Sequence, residues 1–170
     1  MKYARLLFVL SVMLFGASAL FAIEPGPVTV AIPDTVMFGP EQVAFNEAMR
    51  KVPFSFDDRI VDAPTEIQPI ESNVQWLKAH PDVRFYIAGY TDWNGDILYN
   101  MTLSQARADQ VKKRMIALGI APERILISAG WGKLYPVCAE QTEECWAKNR
   151  HVRLVYVPSW FVPGPPMGGM

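Results

Sequence analysis

The feature that most constrains the fold is a β-rich run that passes through a short polar loop into a long amphipathic segment. The run covers residues 83–89, and the loop covers residues 91–96. From residue 99 to residue 118, apolar side chains recur at helical spacing, at Leu103, Ala106, Val111, Met115 and Leu118. The pattern predicts a strand–loop–helix unit, which is a building block of α/β folds.

Comparable patterns flank this unit on both sides. They predict strands at residues 52–56, 124–130 and 152–157 and a helix at residues 65–80. Thr65 is the predicted N-cap of that helix. Residues 135–148 are predicted to form a loop.

The predicted order of elements is therefore β-α-β-α-β-β. Right-handed crossovers place both long helices on one face of the sheet. The predicted fold class is α/β (α+β), a two-layer sandwich with a mixed sheet. We expect parallel pairing within both strand–helix–strand units and antiparallel pairing of the last strand.

Residues 1–22 show the three-part pattern of a secretory signal peptide: basic residues, an apolar run and then small residues. Cleavage is expected after Ala19 or after Ala22. The alternative is that the apolar stretch at 6–23 is retained as a membrane anchor. The pattern predicts export to the periplasm.

Proline divides the remaining chain into three parts. Residues 23–50 form a proline-rich lead segment, with a short strand predicted at 28–32 and a short helix at 42–50. Residues 51–157 form the predicted domain, and residues 158–170 form a tail rich in proline and glycine. The lead segment and the tail are candidate contacts for an envelope protein, and the alternative is that they are packed or disordered ends.

The charge and the cysteines exclude some functions and favour one covalent link. The formal net charge is −1, so nucleic-acid binding has little electrostatic support. Cys138 and Cys145 form a close pair, which predicts a disulfide in an exported chain. The loop that it closes is short, so the expected stabilisation is at most roughly 3 kcal/mol. Two thiols do not complete a metal site, and we expect neither a metal nor a cofactor.

Several short motifs follow one another in a fixed order. The strand–loop–helix unit contains Gly-Tyr-Thr-Asp at 89–92, Gly95, Tyr-Asn at 99–100, Leu-Ser at 103–104, Arg-Ala at 107–108 and Val111. Around it lie Phe-Ser-Phe-Asp at 54–57, Leu-Gly-Ile at 118–120, Arg-Ile at 124–125, Gly-Trp-Gly at 130–132, Pro136 and Asn-Arg-His-Val at 149–152. Over about residues 51–157 the chain resembles the OmpA-like, peptidoglycan-binding domain family of OmpA, the Pal lipoproteins and the MotB stator subunits.

The chain departs from the family pattern at two positions. Tyr90 stands where the family usually has histidine. His151 stands where it usually has a second arginine.

The resemblance implies non-covalent binding of peptidoglycan through the diaminopimelate of its stem peptide. The free end of that residue carries an ammonium and a carboxylate on one carbon. The resemblance implies that Asp92 binds the ammonium and Arg107 the carboxylate. Arg107 lies about two turns, or on the order of 10 Å, into the predicted helix, and helical side chains point back toward the loop. The alternative is an Asp92–Arg107 salt bridge that binds no ligand.

Five other residues are weaker candidates for contact with the ligand. Thr91, Asn100, Leu103 and Arg150 are candidates for lining the cleft. The alternatives are a helix cap for Asn100, a core position for Leu103 and a surface charge for Arg150. Trp93 could stack on sugar or on the stem peptide, or it could be an exposed loop aromatic without a ligand.

An enzymatic function has little support in the sequence. Ser104 has no evident histidine partner, and the cluster of Asp57, Asp58 and Asp62 is typical of a solvated loop. We therefore predict a non-enzymatic, wall-associated protein of the periplasm, with association to the outer membrane as a further possibility. The alternative is a scaffolding protein that keeps the fold and no longer binds peptidoglycan.

Overall fold

The computed structural model describes residues 39–160. Its elements, in chain order, are α1 (Pro40–Ala48), β1 (Val52–Pro53), α2 (Pro64–Ala79), β2 (Arg84–Gly89), α3 (Ile97–Ala117), β3 (Ile125–Gly130), α4 (Glu143–Asn149) and β4 (His151–Val157). A 3₁₀ turn at Pro122–Arg124 leads into β3. The predicted signal peptide, the predicted strand at 28–32 and residues 161–170 of the tail lie outside the described residues. None of the helices within residues 39–160 is long and apolar enough to cross a lipid bilayer.

The four strands form one mixed sheet in the order β1-β4-β2-β3. β4 pairs antiparallel with both β1 and β2, whereas β2 and β3 pair in parallel. α2 and α3 contact each other and contribute to the same core, which confirms the predicted two-layer α/β class. The expectation of parallel pairing was wrong for the first strand–helix–strand unit. Its two strands run in the same direction, but β4 lies between them.

The hydrophobic core includes a contribution from the lead segment. Phe45 of α1 is fully buried, with ring centroids 5.7 Å from Trp76, 6.5 Å from Phe85 and 5.6 Å from Tyr156. Pro40 occupies the first turn of α1, where a proline costs no backbone hydrogen bond. The helix predicted at 42–50 is therefore confirmed, with its start displaced to the proline.

The first strand is shorter than predicted. After Pro53, only the Phe54 N–H continues the pairing, by donating to the Arg150 carbonyl at 3.0 Å. The chain then turns sharply at Asp57, which has a positive φ of 56°. The segment leaves the sheet because the carbonyls of Ser55 and Asp58 accept hydrogen bonds from a side chain of α3.

The N-cap of α2 lies two residues earlier than predicted. Ala63 is the N-cap, and its N–H donates to the Glu66 carboxylate at 2.8 Å. The prediction of Thr65 as N-cap was wrong because Pro64 can occupy the first helical position. Thr65 lies inside the first turn instead.

The predicted loop at 135–148 contains the short helix α4. Thr142 caps it by accepting a hydrogen bond from the Cys145 N–H at 3.3 Å. The predicted disulfide is confirmed, and it joins Cys138 to Cys145 with a Cα–Cα distance of 5.3 Å. The amide oxygen of Asn149 accepts from the N–H groups of Val137 and Cys138 at 2.9 and 3.0 Å. The covalent link and the amide together hold the loop on α4.

Two glycines allow α3 to approach the sheet closely. A Cβ on Gly89 would lie 2.1 Å from the Ser104 carbonyl oxygen, and one on Gly130 would lie 2.3 Å from the Gln105 nitrogen. The Ser104 hydroxyl donates to the Met101 carbonyl at 2.9 Å and accepts from Gly132 at 2.8 Å. These contacts fix the first half of α3 over the carboxyl ends of β2 and β3.

Substitution of either glycine by alanine is expected to destabilise the domain. Because the added Cβ would meet backbone atoms of α3, Gly89→Ala and Gly130→Ala should each lower the free energy of unfolding by about 1–3 kcal/mol. Gly39→Ala is the control, since no atom lies within 4 Å of its added Cβ; its cost at an N-cap should stay below about 1 kcal/mol. Urea unfolding followed by circular dichroism measures all three, and equal stabilities would refute the packing role.

Candidate functional site

A pocket of about 160 Å³ opens beyond the carboxyl end of β2. Four parts of the chain form it: the segment after β1, the loop between β2 and α3, the first turns of α3, and Arg150 between α4 and β4. All six predicted site residues line this pocket: Thr91, Asp92, Asn100, Leu103, Arg107 and Arg150. Five further residues complete the lining: Phe56, Asp57, Asn94, Gly95 and Tyr99.

The loop that begins the pocket is held by its own side chains. Asp92 accepts from the Asn94 N–H at 2.9 Å, and Asp96 caps α3 by accepting from the Tyr99 N–H at 2.7 Å. Gly95 has a φ of 86°, in the left-handed region that favours glycine. From the neighbouring loop, the Lys133 ammonium donates to the Gly95 carbonyl at 2.7 Å. The position of Asp92 is therefore fixed from both sides.

Arg107 is fully buried below the pocket. Its guanidinium donates to three backbone carbonyls: Asp58 at 2.6 Å, Ser55 at 2.9 Å and Tyr90 at 3.2 Å. Burial lowers the pKa of Arg107 to about 10, while the charge of Asp92 acts in the opposite direction. The guanidinium therefore remains charged at neutral pH.

The three carbonyls leave part of the guanidinium free. An arginine carries five N–H donors, and Arg107 uses one on each of its three nitrogens within residues 39–160. One N–H on Nη1 and one on Nη2 therefore remain. Because Arg107 lines the pocket, it offers a fixed cation with unused donors.

Asp92 forms its ion pair with Arg150. Its Oδ2 lies 2.9 Å from Arg150 Nη1, and both side chains are buried. No ion pair joins Asp92 to Arg107 in the part of the chain that the structure describes. The alternative of a closed Asp92–Arg107 salt bridge was therefore wrong, and the two charges face the pocket separately.

Arg150 is a buried part of the site, so its interpretation as a surface charge was wrong. Only 5% of the residue is exposed. Its guanidinium also bonds Glu143 at 2.5 Å and the Phe54 carbonyl at 3.2 Å. Burial lowers the pKa of Arg150, but the hydrogen bonds to Glu143 and Asp92 outweigh it, and the pKa is raised. Since Glu143 lies in the first turn of α4, that helix and its disulfide support the ion pair.

The remaining predicted residues have distinct positions. Asn100 is not the helix cap; its Nδ2 donates to the carbonyls of Asn94 at 2.7 Å and Asp96 at 3.0 Å. Its Oδ1 accepts no hydrogen bond within the described residues. Leu103 is buried and also lines the pocket. The Thr91 hydroxyl donates to the Asp92 carbonyl at 3.1 Å.

The outer wall of the pocket consists of residues that were not predicted as site residues. Phe56 is 63% exposed and Tyr99 is 41% exposed, and the Tyr99 hydroxyl donates to Asp57 Oδ1. This hydrogen bond is the largest cause of the raised pKa of Tyr99. Phe56, Asp57 and Tyr99 all lie within the motifs quoted above, so these motifs could have identified them as candidate site residues. Asp57 is exposed, as expected for a residue of a solvated loop, and it also lines the pocket.

The two departures from the family pattern are neighbours in space. The Tyr90 and His151 rings stack, with centroids 5.0 Å apart and an interplanar angle of 28°. The Arg153 guanidinium lies 5.3 Å from the Tyr90 ring centroid. Neither Tyr90 nor His151 lines the pocket. The two changes therefore form one packing unit beside the site.

His151 is expected to make stability depend on pH. Burial, together with the nearby charge of Lys51, lowers its pKa from 6.5 to about 4. Between those pH values the unfolded chain binds a proton that the folded chain does not. The free energy of unfolding should therefore fall by up to roughly 3 kcal/mol as the pH decreases through this range.

Unfolding measured across this pH range tests the assignment. His151→Phe should flatten the dependence, whereas His80→Gln, which removes the only other histidine, should leave the slope in place. An unchanged slope in the His151 variant would contradict the assignment.

The chain has a mixed sheet and a charged pocket that lies beyond the end of a strand and is closed by the start of a helix. These features define it as an α/β ligand-binding domain. Comparison with known proteins identifies the family. The model of the OmpA family matches residues 54–150. The chain belongs to the OmpA family.

Individual relatives agree with this assignment. The chain is similar to outer membrane porin F of Pseudomonas fluorescens, with 37% identity over 101 residues, which is 59% of this chain and 30% of the relative. It is 32% identical to the peptidoglycan-associated lipoprotein of Legionella pneumophila over 103 residues, 61% of this chain and 57% of the relative. The chain thus spans less than two thirds of either protein.

A solved structure shows the same fold. The peptidoglycan-associated lipoprotein of Burkholderia pseudomallei superposes with a TM-score of 0.59 and 34% sequence identity. The match covers 64% of this chain and 90% of that one.

Proposed function

We propose that this protein binds peptidoglycan non-covalently through the diaminopimelate of the stem peptide. The observation that carries the proposal is that one pocket holds a buried cation with unused donors and a buried carboxylate that is not paired with it. Arg107 supplies the cation, and Asp92 supplies the carboxylate.

Arg107 is suited to bind the carboxylate of the ligand. The three carbonyls hold the guanidinium in one orientation, so little side-chain entropy is lost when a ligand binds. Its free N–H groups on Nη1 and Nη2 can donate to two carboxylate oxygens.

Asp92 is suited to bind the ammonium. Arg150 and the Asn94 N–H each occupy one of its oxygens, and each oxygen keeps a further acceptor position. The free Oδ1 of Asn100 supplies a second acceptor in the same pocket. Asp57 and Asp92 balance Arg107 and Arg150 in charge, so a zwitterion with no net charge fits the site.

The comparisons are consistent with this ligand and its location. Two of the similar proteins are named peptidoglycan-associated lipoproteins. The predicted signal peptide would place the chain in the periplasm, where peptidoglycan is accessible. A tether to the cell wall, associated with the outer membrane, follows as the proposed role.

Co-sedimentation with purified sacculi tests the proposal. Asp92→Asn and Arg107→Lys keep the approximate side-chain size but remove the anion and the planar fork. Because each loses charge-assisted hydrogen bonds, apparent affinity should fall at least about tenfold. The matched controls, Asp82→Asn and Arg59→Lys, alter exposed residues outside the pocket and should bind like wild type.

Other results would replace the proposal. Wild-type affinity in both pocket variants would show that the ligand binds elsewhere. A folded wild-type protein that does not sediment with sacculi would support the scaffolding alternative. Release of soluble fragments from the sacculi would indicate an enzyme.

A further inference from the structure

A second surface lies beside the pocket and is not used by the proposed contacts. Trp93 follows β2, whereas Trp131 and Tyr135 follow β3, and their exposed fractions are 47%, 36% and 60%. Lys133 lies between Trp131 and Tyr135 in the sequence. We name these four residues the aromatic platform.

The backbone of the platform is fixed. The Trp131 N–H donates to the Gly89 carbonyl at 2.9 Å, and the Thr91 N–H donates to the Gly132 carbonyl at 3.0 Å. The Lys133 ammonium also donates to the Trp93 carbonyl at 3.2 Å. Exposed aromatic side chains on a braced backbone are typical of a binding surface.

The side chains of the platform also contact one another. The Trp131 and Tyr135 rings meet edge to face, with centroids 5.7 Å apart and an interplanar angle of 71°. The Lys133 ammonium lies 5.8 Å from the centroid of the Trp93 ring. Each indole is therefore supported from one side and partly open to solvent.

The platform and the pocket share their loops. Trp93 lies between Asp92 and Asn94, both of which line the pocket. Trp131 precedes Gly132, which is hydrogen-bonded to Thr91 of the pocket lining. A ligand that fills the pocket and continues outward for a few residues would therefore pass over or near these rings.

We propose that the aromatic platform binds the glycan strand of peptidoglycan, a polymer of N-acetylated amino sugars. This proposal rests on the proposed function. The diaminopimelate is the third residue of a peptide attached to a sugar, so the sugar lies on the order of 10 Å from the pocket. A linked sugar would bind at high effective concentration once the pocket is filled.

The chemistry of the platform matches that of an amino sugar. The C–H groups on the face of a pyranose ring pack against the electron-rich face of an indole. The hydroxyl and acetamido oxygens can accept hydrogen bonds from the Lys133 ammonium and from indole N–H groups. A rigid aromatic surface loses little conformational entropy on binding.

Calorimetry with two soluble probes separates this proposal from the proposed function. One probe is a tripeptide that ends in diaminopimelate, and the other is the same tripeptide linked to its disaccharide. Wild type should bind the disaccharide form roughly twofold to tenfold more tightly. Trp93→Ala and Trp131→Ala should lose this gain and keep the affinity for the free tripeptide. Trp160→Ala changes a more exposed indole (78% exposed) that follows the opposite end of the sheet, and it should behave as wild type.

Each outcome decides between the two proposals. Equal affinities of wild type for both probes, or a gain that survives in both platform variants, would overturn the glycan proposal alone. No affinity of wild type for the free tripeptide would overturn the proposed function. Unchanged affinity for the tripeptide shows that a variant is folded. If Trp131→Ala binds neither probe, Tyr135→Ala is tested in its place. A platform that instead captures a protein and ignores the disaccharide would also refute the glycan proposal.

Discussion

The arrangement of this domain around its pocket depends on the buried guanidinium of Arg107. It binds carbonyls from the segment after β1 and from the end of β2, and it belongs to α3. Three parts of the chain that are distant in sequence are thereby held at one point. A buried charge is tolerated only where its donors are satisfied, and backbone carbonyls satisfy three of the five. The same residue therefore stabilises the fold and keeps two donors for a ligand.

The anionic half of the site is built by a second charged group of residues. Asp92 is held by Arg150, which is held in turn by Glu143 at the start of α4. The disulfide and Asn149 fasten the preceding loop to that helix. Because Arg150 contacts only one of the two carboxylate oxygens of Asp92, the carboxylate keeps further acceptor positions. The positions of Asp92 and Arg107 are thus set by separate supports, and both residues line the pocket in which we propose that a zwitterion binds.

Sequence patterns predicted the fold class and the charged pair, but they did not predict how the pair is held. The helical spacing of apolar residues extends along the whole of α2 and α3, and it is a strong signal. The motif around Asp92 and Arg107 is another. α4 has only seven residues, which is too short for a periodic pattern to stand out. The ion pair between Asp92 and Arg150 joins residues that are 58 positions apart, and no local spacing encodes it. The acceptors of Arg107 are backbone carbonyls, which carry no signature of residue type, and the insertion of β4 between β1 and β2 depends on the whole sheet.

We propose that Arg107 and Asp92 recognise one zwitterionic carbon. Two synthetic stem tripeptides test it most directly, one ending in diaminopimelate and one ending in lysine, which has the terminal ammonium but lacks the adjacent carboxylate. Titration calorimetry at neutral pH compares their affinities for the wild-type protein. The diaminopimelate peptide should bind at least about tenfold more tightly, because only its carboxylate can use the two free donors of Arg107. Equal affinities for the two peptides would contradict the claim.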